Sequence, residues 1–211
     1  MQEIVLGYDV REMWYEDQYE LIRRGRFKKM LSIDTSLWGS VFNQGDYPDL
    51  EGEGRERIGQ GVIELPAMGM NKPLWGNLEL MKEYLAECGL NSGRAYWIVA
   101  ITMFGQNLER KLKARQEWPY YAETVPETIE DRWARVGYDV TSCHSESMIS
   151  SQLGLSREEG ENGEFGKDLN EYMLFSEMRS ADRFRCGQDN VNEGEAPHFV
   201  YAIWRVEEIL L

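Results

Sequence analysis

The stretch "SCHSES" at 142–147 sets a thiol, an imidazole and three hydroxyls side by side. A thiolate–imidazole pair could attack an acyl or phosphoryl centre, with Cys143 as nucleophile and His144 as base. Adjacency works against this, because successive residues of a strand point to opposite faces and Cys143 and His144 would not face each other. The second histidine, His198, could approach Cys143 or Cys186 if the last strand runs beside the stretch. Cys143, His144, Cys186 and His198 are also zinc-ligand types, but they lack the short paired spacings that hold a tetrahedral site. The expectation is no catalytic set, no metal and no cofactor, with Cys143, His144 and His198 as the residues from which any covalent chemistry would come.

Glycines invite a phosphate-loop reading, and the motifs fail it. "GEGRERIG" at 52–59 lacks the Lys-Ser/Thr that opens the helix of a phosphate loop, and no apolar strand leads into it. "GENGEFG" at 160–166 follows no strand either. Both belong to long acidic connectors, 43–61 and 155–168, which read as exposed loops.

Those connectors hold the densest carboxylates: Asp46, Asp49, Glu51, Glu53 and Glu56 in the first, Glu158, Glu159, Glu161 and Glu164 in the second. Most surface charges are simply a solvated face. Gathered in long loops, they can instead form a surface complementary to a basic protein. "EWPYYAETVPET" at 117–128 adds Trp118, Tyr120 and Tyr121, residue types favoured as interface anchors, in a segment that Pro119 and Pro126 keep irregular. These twelve residues are the expected partner-binding set.

Net charge points the same way. With 23 Lys and Arg against 37 Asp and Glu, the formal charge is −14, a field that repels nucleic-acid phosphates and anionic membranes. No window reaches the roughly 18 apolar residues of a membrane span, and the first residues lack a basic region followed by an apolar run, so the reading is cytoplasmic. Three widely spaced cysteines suggest reduced thiols and no disulfide framework.

The elements that must position these residues form one α+β domain over 1–211, with a mixed or mostly antiparallel sheet of about five strands, flanking helices and the two acidic loops. β-branched and aromatic residues predict strands at 2–10, 29–34, 95–104, 135–141 and 198–206. Helices are predicted at 77–88, where Leu78, Met81, Leu85 and Cys88 share a stripe that Gly89 ends, and at 13–24, 105–117, 127–134 and 167–186. Gly-Tyr-Asp-Val occurs twice, at 7–10 and 137–140, with unlike flanks. A four-residue match with unlike flanks reads as coincidence, two strand ends whose Asp turns toward solvent or caps a helix, because a true repeat should extend over a whole supersecondary unit.

"RWARVGYDVTSCHSESMISS" (132–151) and "EAPHFVYAIWRVEEI" (195–209) resemble segments of uncharacterised bacterial proteins from toxin–immunity loci. The resemblance covers about the last third of the chain and implies an acidic cytoplasmic immunity-like protein that binds and neutralises a basic toxin. It supplies no site residues. Two other classes fit the same composition: a hydrolase or transferase using Cys143 with His144 or His198, and an acidic mimic of DNA that occupies a nucleic-acid-binding protein.

Overall fold

A computed structural model describes residues 3–12, 62–67, 70–75, 77–88, 95–106, 129–142, 165–191 and 193–210. The class is α+β, built on an antiparallel sheet. Strands β1 (Glu3–Glu12), β4 (Ala95–Phe104), β6 (Phe199–Leu210) and β5 (Ala134–Thr141) form its body, in that spatial order. A hairpin of β2 (Val62–Ala67) and β3 (Met70–Trp75) extends the β1 edge, giving six strands in the order β2-β3-β1-β4-β6-β5. All described ladders are antiparallel. Two helices, α1 (Leu78–Cys88) and α2 (Met178–Val191), are the long ones among the described residues, and no described helix is long and apolar enough to cross a membrane.

β4 is apolar along its whole length because both its faces are covered. Ile98 and Ala100 meet Tyr8 and Val10 of β1 and Leu78, Met81 and Leu85 of α1 on one side. Trp97, Val99, Ile101 and Met103 meet Leu6, Phe199, Tyr201 and Ile203 on the other. The predicted stripe of α1 is thus its docking face, and the Asn77 carbonyl opens the helix by accepting the Met81 N–H at 3.1 Å. α2 packs on the same face of the sheet as α1, setting Ala181 and Phe184 against Tyr138, Val140, Val200 and Ala202.

Several sequence expectations change. The repeated tetrapeptides are not strand ends. Each lies inside an edge-side strand of the four-stranded body, directly after a β-bulge: Leu6 drops out of register between Val5↔Thr102 and Gly7↔Ile101, and Val136 between Arg135↔Trp204 and Gly137↔Ile203. Neither Asp reaches solvent or caps a helix; Asp9 and Asp139 are both fully buried, and each carboxylate accepts the N–H of the following valine at 2.8 Å. Arg11 Nε lies 2.5 Å from Asp9 Oδ2 as a buried ion pair.

The helix expected over 167–186 begins later and ends later. Gly166–Asp168 is a short 3-10 turn, and 169–177 is a compact loop organised by Asn170. The Asn170 side chain accepts the N–H groups of Tyr172 (2.9 Å) and Leu174 (3.2 Å) and donates to the Val136 carbonyl (2.7 Å). A side chain that satisfies the local backbone in this way competes with a helix. Met173, at φ 58°, sits at the turn's left-handed position. Gly187 lies inside α2, where a Cβ would meet nothing within 4 Å, and so does not stop the helix. Residues 129–133 form a turn in place of the end of the helix expected at 127–134. The elements expected at 13–24 and 29–34, the first acidic loop, and all of 105–117 beyond the helical pair 105–106 lie outside the described residues.

Candidate functional site

Among the residues expected to do chemistry, His198 is described, and Cys143 and His144 lie outside the described residues. So do all twelve residues of the expected partner-binding set: Asp46, Asp49, Glu51, Glu53, Glu56, Trp118, Tyr120, Tyr121, Glu158, Glu159, Glu161 and Glu164.

His198 precedes β6 and is fully buried. Its Nδ1 lies 3.0 Å from Asp189 Oδ1, and the same oxygen accepts the His198 backbone N–H at 2.8 Å. Asp189 is on α2, one turn beyond Arg185. Arg185 donates from Nη1 to Asp189 Oδ2 at 2.7 Å, from Nε to Asp182 Oδ1 at 2.8 Å and from Nη2 to Cys186 Sγ at 3.0 Å. Burial alone would lower the Arg185 guanidinium, but its bond and charge contacts with Asp182, and the further charge of Asp189, hold it above its ordinary value. The relay Asp182–Arg185–Asp189–His198 rests on helical i, i+3 and i, i+4 spacing, which brings those side chains to one face. That spacing was readable in "DRFRCGQD".

A carboxylate on Nδ1 fixes a histidine's tautomer and leaves Nε2 for proton transfer, which is the arrangement of a general base. His198 Nε2 has no hydrogen-bond partner among the described residues. The neighbouring end of β5 supplies hydroxyls: Thr141 pairs with Phe199 in the last register of the β5–β6 ladder, and Ser142 follows it, both fully buried. Residue types for nucleophilic catalysis therefore converge here. Ser142 and His198 are both fully buried. The observed work of the pair is to clamp the entry of β6 onto α2. No group of three or more His, Cys, Asp or Glu among the described residues could hold a metal.

A second polar cluster spans the sheet on the helix-bearing face. Glu3, 8 % exposed at its side chain, receives the Thr102 hydroxyl and the Trp204 indole N–H (2.8 Å) on Oε1 and Arg135 Nη2 (2.8 Å) on Oε2. Arg135 lies over the Trp204 ring at 4.2 Å and donates to the Tyr138 hydroxyl at 2.5 Å. Burial pushes the Tyr138 phenol above its ordinary value, opposed by the charge and hydrogen bond of Arg135. This cluster joins β1, β4, β6 and β5, and sequence reasoning missed it because its members lie up to 201 residues apart.

Comparison of the chain with protein-family models, with curated proteins and with solved structures finds no match.

Proposed function

We propose that the protein is an acidic, cytoplasmic binding protein of the immunity type, which neutralises a basic toxin by direct protein–protein contact. The observation that carries this reading is the formal charge of −14. Such a field draws a basic partner into encounter and orients it. Asp46, Asp49, Glu51, Glu53, Glu56, Glu158, Glu159, Glu161 and Glu164 would supply the charge, and Trp118, Tyr120 and Tyr121 the anchors. A tagged pull-down from the native host, eluted at low and then high salt, tests the reading. One basic partner released by salt, toxic alone and rescued by co-expression, is the expected result; clean preparations without a partner under both conditions count against it.

One observation favours a second reading, a hydrolase or transferase acting through Cys143. Asp189 orients His198 as it would a general base, and Cys143 follows buried Thr141 and Ser142 in the chain. A low-pKa thiolate reacts fast with electrophiles. This reading requires iodoacetamide to label Cys143 faster in the folded protein than in the denatured chain, and labelling no faster than in the denatured chain removes it.

A further inference from the structure

The match between the two Gly-Tyr-Asp-Val strands extends beyond the tetrapeptides. Gly7 and Gly137 each follow a bulge and each pair with an isoleucine, Ile101 and Ile203; Tyr8 and Tyr138 each pair with an alanine, Ala100 and Ala202. On its outer edge Tyr8 pairs with Trp75 of the β2–β3 hairpin, and Tyr138 pairs with Phe175, which itself bridges Leu169. Three residues after Trp75 and after Phe175 a helix begins, at Leu78 and at Met178, and each helix returns the chain to a central strand, β4 or β6. Trp75 and Phe175, Leu78 and Met178, and Met81 and Ala181 are each 100 positions apart, and Ile101 and Ile203 are 102 apart.

The central ladder obeys the same rule. Ile101 pairs with Ile203, while Ala100↔Trp204 and Thr102↔Ala202 exchange with each other on rotation about that pair. Any regular antiparallel ladder has such a local two-fold, so this pair only marks where an axis would pass. What an antiparallel sheet does not require is two bulges at the same position relative to a glycine, or equal spacing from edge pairing to helix.

We infer that the chain is a fused tandem duplication: a pseudo-homodimer of two units, β1 to β4 and β5 to β6, each a strand, an edge pairing (the β2–β3 hairpin in the first, the Phe175 bridges in the second), a helix and a strand, whose two-fold axis passes between Ile101 and Ile203. The first unit carries 30 more residues between its tetrapeptide and its edge pairing, since Gly7 to Trp75 is 68 positions and Gly137 to Phe175 is 38. The units have diverged in side chains while keeping the backbone plan. Arg135 stands where the first unit has Val5, Trp204 where it has Thr102, and buried Arg185 where it has buried Leu85.

Fused units of this kind have an interchangeable order. Rotation about the axis carries the connection from β4 to β5 onto the gap from β6 back to β1, so a linker in that gap needs a similar span. A circular permutant running 129–211, a Gly/Ser linker of about 20 residues, then 1–128, keeps the full chain, and such a linker has an r.m.s. reach of roughly 25 Å. It is expected to be a folded monomer by sedimentation, with the far-ultraviolet circular dichroism of the parent and one cooperative melt. Native-state hydrogen exchange on the unpermuted protein supplies an independent reading. The bulge amides of Leu6 and Val136 should both exchange on the order of a hundredfold faster than the ladder amides around them. Failure of permutants with linkers of about 20 and about 30 residues to give a folded monomer, or protection at one bulge amide and not at the other, overturns the inference.

Discussion

Adding one methyl group at Gly137 is expected to undo the attachment of the 169–177 loop to the sheet. A Cβ there would lie 2.7 Å from Leu174 Cβ, 3.0 Å from Asn170 Nδ2 and 3.0 Å from the Phe175 carbonyl oxygen. Two of these neighbours have little freedom to yield: a Cβ fixed to its own backbone, and a carbonyl held by the Tyr138 N–H at 2.8 Å. Overpacking of this kind costs about 1–3 kcal/mol. If the loop retreats instead, it gives up the paired Tyr138–Phe175 backbone bonds (2.8 and 2.9 Å) and the Asn170 bond to the Val136 carbonyl (2.7 Å). Each of those contributes about 1 kcal/mol net, so both routes converge on a loss of about 2–3 kcal/mol for Gly137→Ala. For a chain of this length that lowers Tm by roughly 4–12 °C. Gly187→Ala is the matched control: its surroundings are open, it is inside α2, and it should gain about 0.8 kcal/mol from helix propensity. Urea denaturation of both variants measures the difference. A Gly137→Ala protein within about 0.5 kcal/mol of the parent would refute the reasoning, because the close approach would then be relieved at no cost.

Glu3→Ala should cost about 2 kcal/mol in urea denaturation, since it removes the acceptor of the Thr102 hydroxyl and the ion-pair partner of Arg135 and leaves the Trp204 indole N–H with Thr102 alone; Glu3→Gln, which keeps the acceptor, should cost less. Asp189→Ala should cost about 2–3 kcal/mol by the same assay, leaving both nitrogens of buried His198 without a partner and Arg185 with Asp182 and Cys186 alone. At alkaline pH the buried Tyr138 phenol, held above its ordinary value first by burial, favours the protonated folded state. Its contribution is fully present below about pH 10, the unfolded value, and is lost as pH rises through the folded one. Thermal melts across pH 9–12 should therefore show a decline that Tyr138→Phe makes shallower; an unchanged slope would place the decline on other groups.

Where apolar pattern and packing coincide, the fold was legible. The run "AYWIVAITMF" reads as a doubly covered strand and is β4, and the stripe of Leu78, Met81 and Leu85 reads as a docking face and is one. The hairpin β2–β3 was not among the expected strands, because Pro66 and Pro73 interrupt the β-branched and aromatic runs by which a strand is read. α2 was misplaced because Leu169, Tyr172 and Met173 keep helical spacing while Asn170, one short polar side chain, closes the backbone into a turn. The tetrapeptides looked accidental because similarity outside them is carried by bulges, pairing partners and spacing, which leave little trace in residue identity. The His198–Asp189–Arg185 relay was half legible: the histidine was singled out, and its carboxylate partner was hidden among 37 acidic residues.

The two helices occupy matching berths on one sheet and are moored by different means. α1 is held through Leu78, Met81 and Leu85; α2 is held through Ala181 and Phe184, carries Arg185 in the place of Leu85, and adds the Asp189 contact to His198 at the entry of β6. Apolar burial weakens on cooling, and partly exposed ion pairs weaken in salt. Cold therefore presses on both berths, while brine reaches the second alone, through the Arg185 pairs that hold Asp189 in place. One sheet thus carries two moorings, and its second answers to a change of surroundings that leaves the first untouched.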